Sequence, residues 1–204
     1  YGDKMKHINI ALFVVHKGCP HMCSFCNQRS ISGSQKDITA DDVHSAAQTA
    51  IASLTQSEAC GGEIAFFGGS FTMIEKSYMI SLLEAAYEYI QKGIFKGIRI
   101  STRPDGISRE ICEILKKYGV TSVELGAQSL DDRVLMFNER GHTAKQVCDA
   151  CLLLKEYGFE PHIAGNIVNR QRHTLAVLFV DESVENFAYI FAILLERNVG
   201  LRVL

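Results

Sequence analysis

Short apolar strands alternate with amphipathic helices at least four times along this chain, and that alternation limits the folds open to it. His7–Val15 is a β-branched apolar run and reads as a buried strand. Ile38–Leu54 reads as a helix, opened by a Thr39/Asp42 capping box and striped by Val43, Ala46, Ala47, Ala50 and Leu54. The pattern then repeats. Strand Glu63–Phe67 ends at Gly68-Gly69, and helix Glu75–Gln91 ends at Gly93. Strand Gly97–Thr102 stops at Pro104, and helix Ser108–Tyr118 stops at Gly119. Strand Thr121–Leu125 is followed by a short helix at Asp131–Phe137. A longer helix, opened by Thr143 and Gln146 and striped by Val147, Ala150, Cys151 and Leu154, ends at Gly158. Beyond Glu160 a fifth strand, a sixth at Thr174–Val180, a helix over Glu182–Arg197 and a strand start at Val199–Leu204 are expected.

Apolar strands joined by helices pair in parallel, which leaves a (β/α) barrel or an open doubly wound sheet. A closed eight-fold barrel needs roughly 250 residues. The chain has 204, so a partial (β/α) barrel in a single α/β domain over residues 1–204, truncated toward its C-terminus, is expected. Starting at Tyr1 rather than Met, the sequence is also expected to be a piece of something longer. Both architectures bind ligands at the C-terminal ends of their strands. The unusual residues cluster there: a cysteine loop after the first strand, Gly68-Gly69 after the second, Ser101–Pro104 after the third, Gly126–Ser129 after the fourth.

The cysteine loop reads Cys19-x3-Cys23-x2-Cys26, three of seven cysteines within eight residues. An odd count with no secretory leader points to ligands in a reducing, cytoplasmic setting rather than disulfides. Three thiolates can hold three irons of a 4Fe–4S cluster and leave the fourth iron open, whereas electron-transfer clusters take four protein ligands. Zinc held by the three cysteines with His16 or His21 is the alternative, and a set of unrelated buried thiols the plainest one. Cys148 and Cys151 fall on the apolar stripe of a helix and read as core, and Cys60 and Cys112 read as structural. A net charge of −2 without a basic stripe gives no support to nucleic-acid binding, which stays possible, and no apolar run reaches the roughly 20 residues of a membrane span.

CPHMCSFC (19–26) resembles the cysteine signature of the radical S-adenosylmethionine enzymes, including the aromatic Phe25 before the last cysteine. FFGGSFT (66–72), ISTRPDGI (100–107), ELGAQSLDD (124–132) and NERGHT (138–143) resemble the elongator-type branch, related to oxygen-independent coproporphyrinogen oxidases. The likeness is strong over residues 8–160 and weak after them. It implies Cys19, Cys23 and Cys26 as ligands of a 4Fe–4S cluster and Phe25 beside the adenine of S-adenosylmethionine. It implies Gly68 and Gly69 at the methionine amino group, Ser101 near the methionine or ribose, Gln128 as a polar contact, and Arg140 on the methionine carboxylate. Arg103 points toward the same mouth and is open to a substrate. The implied chemistry is reductive cleavage of S-adenosylmethionine to a 5′-deoxyadenosyl radical that takes hydrogen from an unidentified substrate. A flavodoxin or ferredoxin would supply the electron. A non-catalytic iron–sulfur or zinc-binding module is the competing reading. One departure stands out: HIAGNIVNRQRHT (162–174) lacks the Gly-Leu-Pro-Gly-like turn that the family usually carries after its fifth strand.

Overall fold

The computed structural model describes residues 8–14, 19, 23 and 36–164. Five parallel strands form one sheet in the order β1-β2-β3-β4-β5, each beside its sequence neighbour. They are β1 (Asn9–Val14), β2 (Glu63–Gly68), β3 (Gly97–Thr102), β4 (Val120–Gly126) and β5 (Glu160–Ala164). The helices are α1 (Ala40–Ser53), α2 (Gln56–Gly61), α3 (Lys76–Gln91), α4 (Arg109–Lys117), α5 (Asp132–Phe137) and α6 (Ala144–Glu156). This is the expected α/β partial barrel. The proposed sixth strand, the helix after it and the final strand start fall outside the described residues, as do Phe25 and Cys26.

Strand alternation sorts the side chains into two faces. Ile10, Leu12 and Val14 of β1, Ile64 and Phe66 of β2, Ile98 and Ile100 of β3, and Val123 and Leu125 of β4 are buried in one core with the helices. Helix α3 supplies the largest share of that core, burying Met79, Leu82, Leu83, Ala85, Ala86 and Tyr89. Each fully buried Leu or Met there contributes about 1.5–3 kcal/mol. The other face is polar in its middle. Arg99 pairs with Ser122 across β3 and β4, and Ser101 with Glu124, which in turn pairs with His162 of β5.

The buried Glu63 anchors the N-terminal end of that polar face. Its carboxylate accepts from Arg99 Nε at 3.0 Å and from the Thr121 and Ser122 hydroxyls, each at 2.8 Å. Burial alone would raise its pKa, but the hydrogen bonds from Thr121 and Ser122 and the Arg99 charge win and hold it below the usual glutamate value.

The capping boxes at Thr39/Asp42 and Thr143/Gln146 form as expected. Helix α2 was not anticipated. Thr55 and Glu58 form a third capping box there, and the short segment QSEACG has too few apolar residues to show a helical period. This helix turns Cys60 to the exposed surface, where its thiol donates to the Gly93 carbonyl at 3.7 Å, whereas Cys112 is fully buried. No helix among the described residues is long and apolar enough to cross a membrane.

Candidate functional site

The sequence motifs meet at the C-terminal edge of the sheet. At the β2 exit Gly68 has φ +118°, and a Cβ added there would stand 2.3 Å from the Val14 carbonyl oxygen. Only glycine fits, because the chain leaves β2 in a left-handed conformation pressed against the end of β1. The next amide, of Gly69, donates to the same Val14 carbonyl at 3.2 Å. The glycine pair therefore has a backbone reason to be there, and it leaves this corner of the edge free of side chains.

Ser101 and Thr102 diverge at the β3 exit. Ser101 is half-buried on the polar face opposite Glu124. Thr102 turns the other way into a buried row of hydroxyls, with Ser70 Oγ at 2.8 Å and Thr72 Oγ1 at 2.7 Å, and Thr72 donates on to the Gly106 carbonyl at 2.7 Å. This row ties the β2 exit to the β3 exit. Sequence reading did not find it, because Ser70, Thr72 and Thr102 sit among many other hydroxyl residues and are distinguished only by burial.

Gln128 follows β4 with φ +68°, its amide donating to the Ala164 carbonyl of β5 at 3.1 Å. Arg140 lies in the loop between α5 and α6. Its amide donates to the Leu135 carbonyl at 2.9 Å, and Glu139 and Gly141 on either side have φ +54° and +72°. The far end of this loop is tied down by the Ala144 amide, which donates to Asp132 Oδ1 at 2.7 Å. The Arg140 guanidinium then runs inward. Nη1 stands 3.2 Å from Cys23 Sγ, and Nη2 donates to the Gly126 carbonyl. Gly126 has no side chain, and Arg140 Nη2 and Gln128 Nε2 are each 3.7 Å from where a Cβ would stand. Arg140 is thus a buried residue of the site rather than a surface ion-pair partner. Cys23 is buried beside it, and Cys19 is half-buried.

Two further residues lie beneath Arg140. Arg103, expected to face the mouth, is instead buried, its Nε and Nη2 gripping Asp105 at 2.9 and 3.0 Å. Nη2 also donates to the Arg140 carbonyl. His142, from the same NERGHT motif as Arg140, is buried too. Its Nε2–H donates to the Ala127 carbonyl at 3.1 Å, and its Nδ1 is 4.0 Å from Asp105 Oδ1. Burial first, then the Arg140 and Arg103 charges, push its pKa down from the ordinary 6.5 to about 4, against the opposing pull of Ala127 and Asp105. It is a neutral imidazole at physiological pH.

The structure thus brings together Cys23, Gly68, Gly69, Ser101, Gln128 and Arg140 along one edge, while Phe25 and Cys26 lie outside the described residues. No group of three or more metal-ligating side chains occurs among the described residues. The donor chemistry suits an iron–sulfur cluster so far as it is described: two cysteine thiols of the loop, Cys19 and Cys23, the second at the tip of a buried arginine fork. Cys148 and Cys151 do not join them. Cys151 is buried in the core face of α6, where burial pushes its thiol up to about 12.

The Radical SAM superfamily model matches residues 13–175. Elongator complex protein 3 of Saccharomyces cerevisiae is 28% identical over 69% of this chain and 27% of its own length. The tRNA uridine(34) acetyltransferase of Dehalococcoides mccartyi is 30% identical over 49% of this chain and 26% of its own. The chain therefore spans about a quarter of the length of these curated relatives. Among solved structures, native anSMEcpe with bound AdoMet and Kp18Cys peptide superposes with a TM-score of 0.58 at 17% identity, covering 78% of this chain and 43% of that one. With the family model matched from the first strand through the cysteine loop and across the rest of the sheet, the chain belongs to the Radical SAM superfamily.

Proposed function

We propose that Cys19, Cys23 and Cys26 hold a 4Fe–4S cluster and that S-adenosylmethionine binds along the adjoining strand edge. The observation that carries this reading is the 3.2 Å approach of Arg140 Nη1 to Cys23 Sγ. It joins two sequence motifs that are 117 residues apart, one of thiols and one offering a planar fork for a carboxylate. A cluster held by Cys19, Cys23 and Cys26 would supply one electron to the sulfonium of S-adenosylmethionine for its reductive cleavage, chemistry that ends in hydrogen abstraction from a substrate carbon. The protein's part is geometric. The Arg140 fork receives the methionine carboxylate while staying beside Cys23. Gly68 and Gly69 leave their backbone open to the amino group. Ser101 and Gln128 offer polar contacts from β3 and β4, and Phe25 lies against the adenine. The buried residues under Arg140 keep water from this corner. An external flavodoxin or ferredoxin is the electron donor, and the setting is cytoplasmic. The name of the D. mccartyi relative makes a tRNA uridine the first substrate to try.

The test is anaerobic reconstitution with iron and sulfide, reduction, and measurement of 5′-deoxyadenosine released from S-adenosylmethionine. Release from the native chain, with loss of iron in Cys23→Ala and retention in Cys148→Ala, is the expected result. Zinc in place of iron, or iron without 5′-deoxyadenosine, would leave only a metal-binding module.

A further inference from the structure

We propose that Arg103, held by Asp105, is a positioning residue for S-adenosylmethionine that sets the Gly68–Gly69 turn and the Arg140 fork in place together. This rests on the functional reading above and adds residues that do not themselves touch the nucleotide. Arg103 sits at the β3 exit, between the two parts of the site that meet the methionine end of the ligand. Its backbone amide donates to Ser70 Oγ at 3.2 Å, and Ser70 directly follows the glycine pair. Its side chain reaches the opposite way, and Nη2 donates to the Arg140 carbonyl. The bidentate grip of Asp105, at 2.9 and 3.0 Å, fixes the plane of the guanidinium so that this second bond is aimed.

The Arg140 carbonyl needs such a hold. The Arg140 amide is tied to Leu135 of α5, but with positive φ at both Glu139 and Gly141 the chain turns away there and its carbonyl is directed outside any regular element. Arg140 Nη2 closes the circuit by donating to Gly126 at the β4 exit. One buried residue therefore links the exits of β2 and β3 with the loop that carries Arg140, and through Arg140 the exit of β4. A guanidinium can do this because it has several donors in one rigid plane. A lysine, a single flexible ammonium, cannot face Asp105 and the Arg140 carbonyl with the same geometry.

A purely structural role would lower stability without singling out the ligand, so the experiment compares two buried ion pairs. Arg103→Lys disturbs the one under the site. Glu63→Gln disturbs the Glu63–Arg99 pair at the start of β2, at the opposite edge of the sheet. Each protein is reconstituted anaerobically and its melting temperature and iron content are recorded. The S-adenosylmethionine Kd is then read from the ligand-induced change in the EPR spectrum of the reduced cluster. The expected result is full iron in both variants, a Kd at least tenfold higher in Arg103→Lys, and a Kd within twofold of the native chain in Glu63→Gln even where its melting temperature falls. If Arg103→Lys does not take up iron, Asp105→Asn, which keeps the size of the side chain and removes its charge, decides with an expected rise of at least threefold. A Kd within twofold of native in the deciding variant overturns the inference while the functional reading stands, and so does an equal rise in Glu63→Gln. Absence of any spectral response to S-adenosylmethionine in the native chain refutes the functional reading itself, and this inference with it.

Discussion

Acidifying the protein should cost it stability through His142. In the folded chain burial, and then the Arg140 and Arg103 charges, let this imidazole take a proton only near pH 4, whereas in the unfolded chain it does so near 6.5. Between those values the unfolded state binds the extra proton and the folded state does not. The stabilisation is therefore complete above the unfolded value and is lost as the pH falls through the window toward the folded one. The full difference corresponds to about 3 kcal/mol, and the part that develops between pH 7 and pH 5 is about 2 kcal/mol. His142→Gln removes the titration while keeping an amide able to donate to the Ala127 carbonyl. Urea unfolding of both proteins at the two pH values isolates the contribution, because the other histidines cancel in the comparison. The carboxylate of Glu63, held low, loses its share only below the ordinary glutamate range, outside this window. With a denaturant dependence of about 2 kcal/mol per molar urea, the native midpoint should fall by roughly 1 M more than that of the variant. Equal acid losses in the two proteins would refute a neutral, buried His142 and the crowding of cationic charge around it.

Two further outcomes are expected. Gly68→Ala should destabilise the chain by about 3 kcal/mol or more in the same urea assay, since the methyl group meets the Val14 carbonyl in a backbone conformation alanine rarely adopts; a loss below about 1 kcal/mol would contradict the close β1–β2 approach. Brief alkylation of the native protein near neutral pH, read by peptide mass spectrometry, should label the exposed Cys60 and spare Cys112 and Cys151, whose thiols burial pushes up to about 11 and about 12; labelling of Cys151 at the rate of Cys60 would show that α6 does not pack as described.

What the sequence disclosed depended on how local the signal was. The strand Gly97–Thr102 and the capping boxes at Thr39 and Thr143 are written within a few residues, and they were placed to the residue. Helix α2 escaped because its helical signal is the Thr55/Glu58 box alone, with no apolar stripe long enough to have a period. At the site, the cysteines, glycines and Arg140 carry motif spacing and could be proposed from resemblance. Arg103 and His142 could not be placed in that way. Both are polar residues in loops, where exposure is the ordinary expectation, and only tertiary packing buries them. A partial signal existed in Arg103-Pro104-Asp105, which sets a carboxylate two residues from the guanidinium on a short turn begun by proline. Ser101 and Thr102 show the limit of spacing arguments. Neighbours on one strand point to opposite faces, and which of them meets the polar side is decided by register against Glu124.

The strand order runs strictly in sequence, each strand resting on the one made before it. A ribosome releasing this chain can therefore add the sheet one ribbon at a time, with no early ribbon held waiting for a late one to fill a gap between them. The thiol loop is the exception. It emerges near the start, yet the guanidinium that covers Cys23 is synthesised 117 residues later. Until then Cys23 lacks its guanidinium neighbour, so this corner of the strand edge is completed only after β4 and α5 have been synthesised.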